Sequence, residues 1–231
     1  TAEGSTTTVT LNSGTGDTTF GTLSTDLGAV TVTSTGVINI TNDITTNNAA
    51  VDINGAVQLQ SNDIDIATGG GSVDFSSTID NKSGQTARNL TITSGGGAVG
   101  LGSTTTHIGT TTAIGNLTIN AEAGAGNITL RGNIGSSGES AAAGAATLLI
   151  GNGATGTLDF DGTAYNAGAA TYTANSFTLS GADPSFLSTN NAIEFADGAT
   201  GQIVLDDASD LTIDTGEGGT GDITIAPQIL G

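Results

Sequence analysis

Few residues in this chain of 231 have the types and neighbours that do chemistry. There is one histidine, His107, and three full positive charges, Lys82, Arg88 and Arg131, against 22 acidic residues. Nucleophilic or acid–base catalysis needs a base held in place by a partner. A single His gives no independent support for a Ser-His-Asp arrangement, and His107 beside inward-pointing Ile108 reads as an exposed strand or corner residue. Lys82 and Arg88, with Asp80 close by, form the one grouping that suits an enzyme. Carboxylates for proton transfer plus Lys or Arg to hold an anionic sugar are what lyases and hydrolases of acidic polysaccharide require. The plainer reading of the same residues is a solvated loop after Ile79, and no catalytic residue is assigned.

Metal chemistry has one candidate. Asp206, Asp207 and Asp210 form the densest acidic cluster, with Asp197 and Asp214 near in sequence. Gly218-Gly219-Thr220-Gly221-Asp222-Ile223 is close to a calcium-roll nonapeptide, but its Asp comes one residue early and no tandem copy follows. Calcium in such rolls is shared between successive turns. The expectation is therefore no cofactor, with Ca2+ at Asp206, Asp207 and Asp210 the only specific alternative to a solvated acidic face that keeps the protein soluble.

Composition removes other classes. The formal charge of −19 with only three Lys or Arg excludes nucleic-acid binding through phosphates. Charged residues are only 11% and mean hydropathy is +0.08, unlike a disordered chain. The 37 Gly lack a three-residue period and there are 2 Pro, so collagen is excluded. No run approaches the roughly 18–20 apolar residues of a membrane helix, so no membrane insertion is expected. With no Cys there is no disulfide framework, which fits a secreted bacterial surface protein. Residues 1–8 are small and polar and show no signal peptide, so the chain reads as a mature protein or an excised segment.

The elements that must position these groups are strands. Strong helix formers are scarce, and the Ala-rich stretch from Ala141 to Ala146 is interrupted by Gly144. Apolar-polar-apolar triplets recur instead: Val51-Asp52-Ile53, Val73-Asp74-Phe75, Leu90-Thr91-Ile92, Val99-Gly100-Leu101, Leu117-Thr118-Ile119, Ile128-Thr129-Leu130, Leu158-Asp159-Phe160 and others. Each predicts a strand of about three residues with two side chains inward and one outward. Gly, Asn, Asp and Ser fill the gaps and close turns.

An antiparallel sandwich and a parallel β-helix both remain open. Sandwich strands run about five or six residues and are joined by marked hairpins. Here Asn54-Gly55 and Asp161-Gly162 are the few exceptions at hairpin positions, so the parallel β-helix is preferred. The units opening at Leu90 and Leu117 each pass to a second strand and then a third inward residue, Ile108 or Ile134. Coils of about 20–30 residues make roughly nine or ten turns in one solenoid domain over residues 1–231. Residues 136–147 and 180–192 break the rhythm and read as corner loops, the second held by Pro184.

Five Asn-x-Ser/Thr sequons occur, at Asn39, Asn81, Asn89, Asn116 and Asn127; four of them are corner asparagines entering apolar-Thr strands, a pattern the fold alone generates without glycosylation. Outward Thr31, Thr91, Thr118 and Thr129 read as β-propensity on solvated strands, with an ice-binding face as the alternative.

The run Ile108-Gly109-Thr110-Thr111-Thr112-Ala113-Ile114-Gly115-Asn116-Leu117-Thr118-Ile119-Asn120 resembles the repeat unit of filamentous-haemagglutinin-like exoproteins and β-strand-repeat adhesins. A weaker copy spans Ala87 to Gly102, and Gly126 to Gly135 matches the Gly-Asn-Ile-Thr-Leu-x-Gly-Asn-Ile-Gly segment. The likeness covers residues 30–135. It implies a right-handed β-helix that extends from a bacterial cell surface and mediates adhesion or forms fibres. The expected function is a non-catalytic structural or adhesive module, extracellular, whose partners are copies of itself, further repeats of the same chain, or host or matrix glycans. The alternative is a β-helix carbohydrate-active enzyme or a glycan-binding surface.

Overall fold

The computed structural model describes residues 7–21, 27–120, 126–136, 144–152, 155–197, 201–206, 210–216 and 221–230. It is a right-handed parallel β-helix of about nine turns with no helix among the described residues. Every pairing between named strands is parallel, which rules out the antiparallel sandwich. With about 4.8 Å between neighbouring strands, nine steps make a stack about 43 Å tall.

Each turn has three faces, and each face is ruled by columns of inward aliphatic or aromatic side chains. On the first face Val30, Val51, Val73, Val99, Ile128, Leu158, Phe177 and Ile203 follow one another in register, all buried. The second face carries Ile44, Ile66, Ile92, Ile119, Ile150, Tyr172, Phe195 and Ile225. The third carries Ile38, Val57, Ile79, Ile108, Ile134, Tyr165, Phe186 and Ile213. Ile108 and Ile134 thus occupy the third face, as the spacing of the two similar units predicts. Period-two alternation forces this: a one-residue slip would turn each apolar pair to solvent.

Corners repeat a small device. The buried hydroxyls of Thr46, Thr68 and Ser94 donate to the carbonyls of Ala49, Gly71 and Gly97, each three residues on. The corners then stack so closely that a Cβ on Gly97 would lie 2.2 Å from the Gly71 oxygen. Outside, corner Asn and Asp side chains accept from the backbone of the next rung. Asp43 takes the N–H of Asp65, Asp63 that of Asn89, Asn89 that of Asn116, and Asn133 those of Thr163 and Ala164.

Three expectations change. Strands are not uniformly about three residues long: Val30–Ile40 and Ala164–Ala174 each run 11 residues. Small residues at Ser34-Thr35-Gly36 and Ala167-Gly168-Ala169 let the extended chain round a corner without leaving the sheet. The rhythm break assigned to 136–147 does not extend to 145, because Ala145–Gly151 pairs in register with Ile114–Asn120 and Ala164–Ala174; residues 137–143 lie outside the described residues. The second proposed loop, 180–192, contains the strand Ser185–Ser188, which carries fully buried Phe186 on the third face. Pro184 precedes that strand, where its missing N–H costs no ladder bond, and its carbonyl accepts from Thr212.

Six of the eight aromatic side chains meet in one stretch of the core. Phe160, Tyr165, Tyr172, Phe177, Phe186 and Phe195 touch mostly edge to face, with centroids 4.8–6.4 Å apart. That is the favoured arrangement of ring quadrupoles.

Candidate functional site

Of the grouping that suits an enzyme, Asp80 is the residue taken up by backbone. Asp80 is buried, and its Oδ1 accepts from the N–H groups of Thr111 and Thr112 at 3.1 and 3.2 Å. Asn81 points inward, in register with Leu59. Its Nδ2 donates to the carbonyls of Lys82 and Gln85, and its Oδ1 accepts from the Arg88 N–H. Asn81 therefore closes the loop from Lys82 to Arg88, a structural role that also accounts for its sequon. Neither Lys82 nor Arg88 forms an ion pair among the described residues. His107 Nδ1 accepts from the Asn133 N–H at 3.1 Å, so the ring is part of the inter-rung bonding.

Asp206 and Asp210 are exposed, the Asp210 N–H donates to Asp183 Oδ1, and Asp207 lies outside the described residues. Of the roll-like segment, Gly218, Gly219 and Thr220 also lie outside them. No group of three or more His, Cys, Asp or Glu is placed to hold a metal ion among the described residues. Among the sequon asparagines, Asn89 and Asn127 accept from the next rung's backbone and Asn116 from the Thr147 hydroxyl.

The arrangement that does bring charged groups together lies on the outward column of the first face. Between the inward columns the solvent-facing residues run Thr31, Asp52, Asp74, Gly100, Thr129, Asp159 and Thr178. Asp52 and Asp74 are direct neighbours across a rung. Partial burial, and then the Asp74 charge, raise the Asp52 carboxyl above its ordinary value. Further along, burial first and Asp159 second raise Asp161, while Arg131 acts in the opposite sense. Ser180 Oγ donates to Asp159 Oδ1 at 2.8 Å.

Gly100 interrupts this column, and Arg131 reaches across its rung. Arg131 Nη2 meets Asp74 Oδ1 at 2.5 Å and approaches the Phe75 carbonyl at 3.4 Å. It is the one ion pair among the described residues. A Cβ on Gly100 would lie 2.6 Å from both Arg131 Nη2 and Asp74 Oδ1, so the guanidinium lies close over bare backbone. Beside it is an open notch of about 250 Å3, lined by Ser72, Asp74, Ala98, Gly100, Thr129 and Arg131 among others. Arg131 Nε is buried and has no hydrogen-bond partner.

Sequence reasoning missed this site because it weighed Arg131 only as part of the net charge. The signal was available: Asp52, Asp74, Gly100, Thr129 and Asp159 are the middle residues of five of the triplets, and Arg131 directly follows one of them. Chemically the notch offers a carboxylate acceptor and a guanidinium donor side by side, with the hydroxyls of Ser72 and Thr129 in its lining. No protein-family model, curated protein or solved structure matches the chain.

Proposed function

We propose that the chain is a non-catalytic structural module of a bacterial surface adhesin or extracellular fibre, a rod lengthened by stacking further rungs on its end rungs. One observation carries this. In most rungs the inward columns are fully buried, but Leu11 in the first rung is 36% exposed, and Ile223 and Ile229 in the last rungs are 47% and 46% exposed. Their register partners Val32, Ile193 and Ile203 are 0%, 1% and 0% exposed. Another rung, of this chain or of a second copy, would cover those side chains and pair the open strand edges. Stacking a copy head to tail is a heterologous contact that does not close, so it yields a filament rather than a ring.

The engaged states of Asp80 and His107 support the non-catalytic part. A stack whose inside is aliphatic presents function only on its outward columns, which suits display from a cell surface. The test is light scattering against concentration, with electron microscopy of the native material. Scattering that rises with concentration, and rods longer than one copy, are expected. Flat scattering together with compact monomers and no surface appendage would overturn the proposal. Turnover of any glycan in a carbohydrate panel, abolished by Lys82→Ala or Arg88→Ala, would establish the enzyme instead.

A further inference from the structure

We propose that the Gly100 notch is a binding subsite for one ring of an uncharged, hydroxyl-rich saccharide. This rests on the adhesive half of the reading above and is independent of end-to-end stacking. Three observations converge on it. The outward column is continuous except at Gly100, where the missing side chain admits the Arg131 guanidinium and leaves beside it a notch lined from three adjacent rungs, 72–74, 98–100 and 129–131. The cavity of about 250 Å3 lies just below the range of whole-ligand pockets, about 300–1,000 Å3, so it suits one ring of a longer chain.

The third observation is unused hydrogen-bonding capacity. A guanidinium has five N–H donors. Those of Arg131 engage the protein only through Nη2, and Nε is buried without a partner. Nε has no surface open to a ligand, so the donors left for one are those of Nη1. Asp74 bonds Arg131 through Oδ1 alone, which leaves Oδ2 to accept. Neighbouring sugar hydroxyls act as donor and acceptor at once, so a vicinal pair can give one proton to Asp74 and take one from Arg131.

Charge sets the class. Arg131 is already neutralised by Asp74, and Asp52, Asp159 and Asp161 surround the notch. Uronic, sulfated or sialylated chains are repelled, and a neutral glycan is accepted. The proposed event is binding alone, with no bond made or broken.

The experiment is an amide-shift titration of the 15N-labelled protein with cellohexaose, maltohexaose, mannohexaose and chitohexaose, and with hexagalacturonate as the anionic arm. At least one neutral probe should shift amides confined to 72–74, 98–100 and 129–131. Arg131→Gln should weaken that probe at least tenfold. Gly100→Ser, whose Cβ would displace the guanidinium, should abolish the shifts. Thr171→Ala, on the second face, should leave them unchanged. No localised shift with any neutral probe, shifts that survive both notch variants, or binding of hexagalacturonate alone would each overturn the proposal. Scattering reads the stacking separately, so either can fail without the other.

Discussion

Two buried tyrosines, alike in burial and neighbours, should respond in opposite directions to loss of one oxygen. Tyr172 is fully buried among Phe160, Phe186 and Phe195, with its centroid 5.1 Å from that of Phe195, and its hydroxyl has no hydrogen-bond partner. Tyr165 is equally buried and stacks on Phe186, but its hydroxyl accepts from the Gly162 N–H at 2.7 Å and donates to the Leu130 carbonyl at 3.2 Å. Tyr172→Phe removes a desolvated group and keeps the ring. A buried unsatisfied polar group costs about 1–3 kcal/mol. The void left is on the order of 10 Å3, which at about 24 cal/mol per Å3 offsets only about 0.2 kcal/mol. Tyr165→Phe instead orphans a buried backbone N–H and a carbonyl, for a loss of about 1–3 kcal/mol. At about 2–4 °C per kcal/mol for a chain of this size, Tyr172→Phe should melt above wild type and Tyr165→Phe below it. The assay is thermal melting by circular dichroism, paired with urea midpoints at unchanged m-value. Amide exchange at 157–197 should localise both effects, since a solenoid can open by parts. If Tyr172→Phe lowers the melting temperature, or the two variants shift the same way, the hydroxyl accounting is wrong.

Other consequences are as direct. Gly97→Ala would set a Cβ 2.2 Å from the Gly71 carbonyl oxygen, and backbone cannot yield as a side chain does, so a loss of about 1–3 kcal/mol is expected; a urea midpoint equal to wild type would refute it. Asn89→Ala frees the Asn116 N–H and breaks the Nδ2 bond to Asp63 Oδ2, while the residue 89 backbone N–H keeps Asp63 Oδ1; about 1–2 kcal/mol should be lost, with exchange rising first at 114–120, and uniform protection there would count against the clamp. Asp52 and Asp161 have folded-state values raised above the ordinary carboxylate value. Between that value and the raised ones the folded chain holds more protons than the unfolded chain, so stability increases as pH falls from neutral through that window. Melting should be higher near pH 4.5 than near pH 7, and Asp52→Asn should reduce the difference; a wild-type maximum at neutral pH with an unaltered slope in the variant would contradict this.

The fold was legible because the triplets state both the side-chain period and the face. Val-Asp-Ile, Val-Asp-Phe and Val-Gly-Leu leave no doubt which residues go inside, and stacking them in register needs only coils of similar length. The third face was harder to read. It is represented in some rungs by one buried apolar residue, such as Ile108 or Ile134, and in another by the adjacent Phe186 and Leu187, and neither arrangement shows a period of two. That is why Ser185–Ser188 reads as loop beside Pro184 until its register with Ala164–Ala174 is known. The notch was illegible for a related reason. Asp74 and Arg131 are 57 residues apart, and only the turn lengths, which vary from 19 residues between Leu158 and Phe177 to 30 between Ile128 and Leu158, decide that they meet.

That variation in turn length has a further consequence for where function can sit. An inward column tolerates little: a change of volume in one rung presses on the rungs above and below, as the tight aromatic contacts at Phe160 show. An outward column has no such neighbours on its open side, so Thr, Asp, Gly and Val all occur along one line from Thr31 to Val204. Charge introduced there is felt along the column, because residues directly opposite in adjacent rungs are within about 5 Å. The Asp52 carboxyl is raised first by its partial burial and then by the Asp74 charge, and only the second cause reports that coupling. Like charges stacked at this spacing oppose folding, and the column relieves them in two ways: Arg131 crosses a rung to reach Asp74, and Ser180 bonds Asp159. Gly100 is what lets Arg131 cross. The only gap in the column and its only cation are therefore parts of one device, and a partner that uses the gap must also deal with the ion pair.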